Sequence, residues 1–139
     1  FMWVGHIKLL FPSAKIIHIR RNLKDTALSI YKNMFDASAL TWAYNQDHLV
    51  KFIELYKDLM NFWKLTLPNF IYECDYEKLV DDQESETKKL IKFCIDHTKN
   101  KAGIKTVSLA QARKPVYKSS VNLYETYIEY LPFLKQLKE

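Results

Sequence analysis

The sequence predicts an α/β fold, a parallel sheet flanked by helices, and three observations carry that expectation. Residues 16–19, Ile-Ile-His-Ile, form the kind of apolar run that makes a buried strand of a parallel sheet. Residues 69–74 are a second strand-like run, rich in β-branched and aromatic residues. Helical patterns precede, separate and follow the two runs, which is the order of α/β architecture. Two strands are too few for a complete sheet. The chain also opens at Phe1 inside an apolar helical pattern, so it reads as a fragment.

Taken in order, residues 1–10 place Met2, Trp3, Ile7 and Leu10 at helical spacing, and Pro12 stops that helix. Ser13 and Ala14 lead into a strand over residues 15–19. The next helix covers residues 23–35, with Leu28, Tyr31 and Phe35 at three- and four-residue steps and Asn22 as its cap. After a connector at residues 36–38, a long helix is expected over residues 41–65. Its stripe is Val50, Ile53, Tyr56, Met60 and Trp63, flanked by Leu49, Phe52, Leu59 and Phe62. So wide an apolar face belongs against a sheet, and its aromatic rings belong to the core. Pro68 closes the connection to the second strand, and residues 75–80 make a turn and a short helix. A helix over residues 83–97 turns Leu90, Ile91, Phe93 and Cys94 inward, with acidic residues in its first turn to suit the helix dipole. Residues 98–119 show no periodicity and carry Lys99, Lys101, Lys105, Arg113, Lys114 and Lys118. Such a loop in a compact domain is functional or disordered. The last helix, residues 121–130, carries Val121, Tyr124, Tyr127, Ile128 and Leu131 on one side.

Composition narrows the function classes. A chain of 139 residues, 48% hydrophobic and 27% charged, is one globular domain at most. The net charge of +5 favours anionic ligands, but only three of the 21 basic residues are Arg, so nucleic acid is not the expected partner. Cys74 and Cys94 form neither a disulfide framework nor a metal pair and are expected as buried thiols. No apolar run approaches the ~20 residues of a membrane span, and the first residues carry no signal-peptide pattern. With only Gly5 and Gly103, the chain has no glycine-rich phosphate cradle. His6, His18, His48 and His97 are too scattered for a zinc site, and His18 is expected as a hydrogen-bonded core histidine. No nucleophile elbow is present. Asp81, Asp82, Glu84 and Glu86 read as a solvated helix start.

Three features could carry chemistry. Ligands of open α/β sheets bind beyond the carboxyl ends of the strands. Arg20 and Arg21 stand there, ahead of a helix amino end, which together suit a phosphate or sulfate, although paired arginines also occur as solvated turn residues. Arg21 and Ser29, eight residues apart, can face one crevice and hold a phosphomonoester. Tyr76, just past the second strand, can stack on a base or pack in the core. Residues 108–117 can fold over a bound anion or remain a disordered surface loop.

The motifs together resemble a known family. Phe11-Pro12-Ser13-Ala14-Lys15-Ile16-Ile17-His18, followed by Arg21-Asn22, Asp25 and Ser29, resembles the 3′-phosphate-binding segment of sulfotransferases that use 3′-phosphoadenosine 5′-phosphosulfate (PAPS). Tyr76-Glu77-Lys78-Leu79-Val80 looks like the family's Tyr-Glu-x-Leu-Val motif. Thr106-Val107-Ser108 with Gln111, Arg113, Lys114, Pro115, Val116 and Tyr117 is similar to its nucleotide-covering loop. The nearest likeness is to the bacterial branch that often carries tetratricopeptide repeats upstream and is related to tyrosylprotein sulfotransferases. The motifs fall in family order and span nearly the whole chain.

That resemblance implies a P-loop NTPase-like sulfotransferase fold, with residues 1–139 the C-terminal portion of a single domain. It implies that Arg21 rather than Arg20 binds the 3′-phosphate, by its spacing to Ser29, the second ligand. Tyr76 would line the adenine pocket, and Ser108, Gln111 and Lys114 would wrap the nucleotide. The implied activity is sulfuryl transfer from PAPS, as co-substrate, to an acceptor hydroxyl or amine, without a metal. The acceptor is open: protein tyrosine, carbohydrate or small molecule. No catalytic residue is assigned within the chain, because the 5′-phosphosulfate loop and the catalytic base are expected upstream of Phe1. Turnover by these residues alone is therefore not expected. Where the family has a basic residue and Trp after the covering loop, this chain has Leu123 and Tyr124, with Lys118 as a substitute. The alternatives are a fragment of a P-loop kinase or NTPase and a non-catalytic basic interaction module. Compartment and oligomeric state stay open.

Overall fold

In the computed structural model, which describes residues 1–35, 38–95 and 118–138, two parallel strands lie side by side. β1 (Ile16–Arg20) pairs with β2 (Ile71–Asp75) so that Ile16 stands opposite Ile71 and Arg20 opposite Asp75. α1 (Val4–Leu10) precedes β1. The crossover between the strands consists of α2 (Leu23–Lys32), a 3-10 segment (Ser38–Tyr44) and α3 (Gln46–Thr66). α4 (Tyr76–Asp81) and α5 (Gln83–Ile95) follow β2, and the chain closes with α6 (Tyr124–Tyr127) and a second 3-10 segment (Pro132–Gln136).

Two asparagine caps set the helix starts. The Asn22 side chain accepts the N–H groups of Lys24 and Asp25 at 3.0 and 3.1 Å, as its position before α2 predicts. Asn45 does the same for α3, accepting from His48 N–H at 3.0 Å with its own backbone extended. The long helix expected from residue 41 therefore starts at Gln46, and the residues before it coil as the 3-10 segment. α2 likewise ends at Lys32 rather than 35, where Asn33 turns to extended backbone. The helix expected over residues 121–130 shrinks to one α-helical turn. Pro132 opens a separate 3-10 segment, with Leu131 before it held out of the helical region at φ −125° and ψ 77°.

The core joins α2, α3 and the end of the chain. Ala27, Leu28, Leu49, Val50 and Ile53 pack against Phe133, Leu134 and Leu137. Phe133 is 2% exposed and its ring centroid lies 5.3 Å from that of Tyr31. Two sequence expectations are corrected here. β1 is not buried on both faces, since Ile17 and Ile19 are 42% and 59% exposed. On α5, Ile91 is exposed while Phe93 packs on Tyr72, ring centroids 5.0 Å apart. A sheet two strands wide is too narrow to cover the whole apolar stripe of a helix.

α1 rests on the end of α3 through a glycine. A Cβ added at Gly5 would come within 2.6 Å of the Trp63 ring, whose indole N–H donates to the Phe1 carbonyl at 3.0 Å. Alanine is the better helix former by up to about 1 kcal/mol, but overpacking costs about 1–3 kcal/mol. Gly5→Ala is expected to lower the unfolding free energy by about 1 kcal/mol in urea titration; an increase would mean that Trp63 gives way freely.

Candidate anion-binding site

Strand periodicity builds the floor of the site. Side chains two residues apart share a face, so His18 and Arg20 project together, and the register sets Glu73 beside His18 and Asp75 beside Arg20. α3 lies over that face with Tyr56, Lys57, Met60 and Asn61. Between them is a cavity of about 450 Å³ that continues to Arg21 and Asn22 at the β1–α2 turn, to Glu77 and Lys78 of α4, and to Asn122. Its volume falls within the range of small-ligand sites.

The two neighbouring arginines differ in their contacts. Arg20 Nε and Nη2 meet Asp75 Oδ1 at 2.9 and 2.8 Å, and Lys78 Nζ meets Asp75 Oδ2 at 2.8 Å. Lys78 first and Arg20 second hold the Asp75 carboxyl below the usual carboxylate range, against the opposing effect of its burial. Arg21 Nη2 donates to the Ser120 carbonyl and lies 3.9 Å from Asp25 Oδ2. The Arg21 guanidinium carbon sits 5.2 Å from the centre of the Tyr76 ring, and its Nε is buried with no hydrogen-bond partner among the described residues. A guanidinium on the wall of a cavity, with N–H groups beyond the one given to Ser120, is suited to an anion.

Asp25 ties the end of the chain to this corner. It is 2% exposed and accepts the backbone N–H groups of Asn122 at 2.7 Å and Tyr124 at 2.8 Å. Lys118 Nζ pairs with Asp81 at 2.7 Å, and Glu77 accepts the Asn22 backbone N–H at 3.0 Å, joining the β1–α2 turn to α4.

His18 is hydrogen-bonded, as its place in an apolar strand predicts, and it also borders the cavity. Its Nε2 lies 2.5 Å from the Tyr56 hydroxyl, and its Nδ1 3.8 Å from Glu73, whose other oxygen pairs with Lys64 at 2.6 Å. Burial pulls the His18 imidazole below its ordinary 6.5, and the Glu73 charge opposes that pull. Burial likewise raises the Tyr56 phenol, with Glu73 adding to the effect. The consequence for stability follows by linkage. As pH falls through 6.5 the unfolded chain takes up a proton that the folded chain resists, so folding loses free energy on the acid side. His18→Gln is expected to flatten that part of the profile, read as a smaller drop in urea midpoint between about pH 7.5 and about pH 5.5. An unchanged slope would place the titration elsewhere.

Of the residues singled out from the sequence, the fold brings Arg21 and Tyr76 together. Ser29 is half-buried on α2, one turn beyond Asp25, and does not line the cavity. Ser108, Gln111 and Lys114 lie outside the described residues. From the sequence, Asp25 was only a position of the family motif and Tyr56 only a member of the apolar stripe of the long helix, while Glu73 had no role. Asp25 also stands four residues after Arg21 in the first turn of a helix; nothing in the sequence pairs Tyr56 or Glu73 with His18, since that meeting depends on strand register and on where α3 lies. Among the described residues no group of three or more His, Cys, Asp or Glu could hold a metal ion, and no helix is long and apolar enough to cross a membrane.

Comparison with known proteins gives the chain a family. A sequence model of the sulfotransferase family matches residues 1–95. An uncharacterized protein of Aquifex aeolicus (strain VF5) is 34% identical over 150 residues, an alignment that covers 100% of this chain and 20% of the relative. The chain thus spans about a fifth of the length of that curated relative. No solved structure matches the chain.

Proposed function

Because this chain belongs to the sulfotransferase family, we propose that it supplies the 3′-phosphate and adenine recognition of an enzyme that takes its sulfuryl group from PAPS. On this reading residues 1–139 are the C-terminal portion of a single P-loop-like sulfotransferase domain. The observation that carries it is Arg21. Its buried Nε–H has no acceptor among the described residues, its side chain lines the cavity, and its guanidinium stands beside the Tyr76 ring.

PAPS would bring the activated sulfuryl group, and an acceptor hydroxyl or amine would receive it. The part of these residues is to bind and orient. Arg21 holds the 3′-phosphate, and Tyr76 offers an aromatic face to the adenine. Ser108, Gln111 and Lys114 complete the donor site by their match to the family motifs, and Ser29 matches them too although it does not line the cavity. Each charge-assisted bond to the phosphate is worth about 1.5–3 kcal/mol. The net charge of +5 favours arrival of an anionic donor. Orienting the donor so is an entropic contribution to catalysis, made away from the reacting bond.

Calorimetric titration of the full-length gene product with adenosine 3′,5′-bisphosphate and with ATP tests the proposal. The expected result is a preference of about tenfold or more for the bisphosphate, one charge-assisted contact in free-energy terms. Equal binding of both nucleotides would overturn it in favour of a P-loop kinase or NTPase. Binding of neither would overturn it in favour of a basic interaction module.

A further inference from the structure

Asp25 is the buried charged side chain among the described residues. An unpaired carboxylate at such a position is costly, and here both oxygens are engaged. Oδ2 accepts from Asn122 N–H and faces Arg21 Nη2 at 3.9 Å, while Oδ1 accepts from Tyr124 N–H. Both amides belong to the turn that also presents the Ser120 carbonyl to Arg21 Nη2. Asn122 holds that turn in the left-handed region at φ 57°, which asparagine tolerates better than most residues. A single carboxylate thus secures the turn, and the turn secures one end of the guanidinium. The buried Nε keeps its hydrogen without a hydrogen-bond partner among the described residues.

From this arrangement we infer that Asp25 is a positioning residue for the donor's 3′-phosphate. It acts through Arg21, by docking residues 120–124 so that the guanidinium is held at its Nη2 end on the wall of the cavity, with its other N–H groups left for the anion. The inference rests on the donor reading given above. It differs from a purely structural role in one respect. Loss of Asp25 should remove the part of the affinity that the 3′-phosphate contributes, and leave the part due to the adenosine 5′-phosphate.

The test compares two nucleotides on the full-length gene product, adenosine 3′,5′-bisphosphate and adenosine 5′-monophosphate. In the wild type the bisphosphate should bind more tightly. In Asp25→Asn that preference should fall about tenfold, because asparagine has one acceptor oxygen for two N–H groups and no charge to face Arg21. In an Arg21→Ala background Asp25→Asn should reduce the preference no further, since the two side chains act as one unit. An unchanged or increased preference, or equal weakening of both nucleotides, would overturn the inference while leaving the donor reading in place. Wild-type protein that binds both equally would overturn the donor reading first. Amide hydrogen exchange of the wild type keeps the test open if Asp25→Asn does not fold. The bisphosphate should slow exchange at Asn122 and Tyr124 more than the monophosphate does, and equal slowing would overturn the inference.

Discussion

Arg21→Ala is expected to weaken binding of adenosine 3′,5′-bisphosphate by the full-length gene product about tenfold to a hundredfold, the loss of one charge-assisted contact. The side chain that is removed lines the cavity and has a buried N–H without an acceptor among the described residues. Arg20→Ala is the matched control. Arg20 is half-exposed and already paired with Asp75, so its loss removes a surface ion pair worth about 0–1 kcal/mol and should change affinity by only a few fold. Arg21→Lys should fall between the two, because an ammonium keeps the charge but cannot reach Ser120 and a ligand as a planar fork does. Isothermal titration of the three variants gives the order directly. If Arg20→Ala proves the more damaging, the phosphate lies over the Asp75 corner of the cavity instead.

Phe133→Ala should cost about 3–5 kcal/mol of unfolding free energy, the range for truncating a buried phenylalanine. Phe133 is 2% exposed and packs with Leu134 and Leu137 into the cluster formed by α2 and α3. Since native domains hold only about 5–15 kcal/mol in all, this one change should leave the fold marginal. Ile19→Ala, in the central apolar run of the sequence, should cost far less, about 1 kcal/mol or under, because Ile19 is 59% exposed. Guanidinium unfolding curves for the two variants decide the matter. A larger loss at Ile19 than at Phe133 would mean that the core is centred on the strand rather than on the α2–α3 helix pair.

Much of the architecture was legible in the residues. The strand at Ile16, the cap at Asn22, the helix after it, the strand ending near Cys74 and the helix at Tyr76 all stand within a few positions of their expected places. Each rests on a local cause: β-branched runs, an Asn before a helical stripe, or a proline stop. The errors arose where a local pattern could not see its neighbours. Residues 41–44 carry helical spacing, yet Asn45 starts the helix afresh. Val121, Tyr124, Tyr127 and Ile128 look like one helix face, yet Asn122 sits in the left-handed region and Pro132 breaks the run that follows.

The candidate site divides in the same way. The order of the chain alone was enough to bring Arg21 to the end of a strand and Tyr76 to the start of the helix after the next one, because in a parallel pair both positions fall at one edge of the sheet. It was also enough to give the chain its cationic balance. The partners of Arg21 needed the folded molecule. Ser120 is 99 residues from Arg21, and Asn122 is 97 from Asp25, separations over which no periodicity carries information. The pairing of His18 with Tyr56 and Glu73 depends on strand register and on where α3 crosses the sheet, two facts set by packing. Motif spacing therefore singles out the arginine, while tertiary contacts determine how that arginine is held.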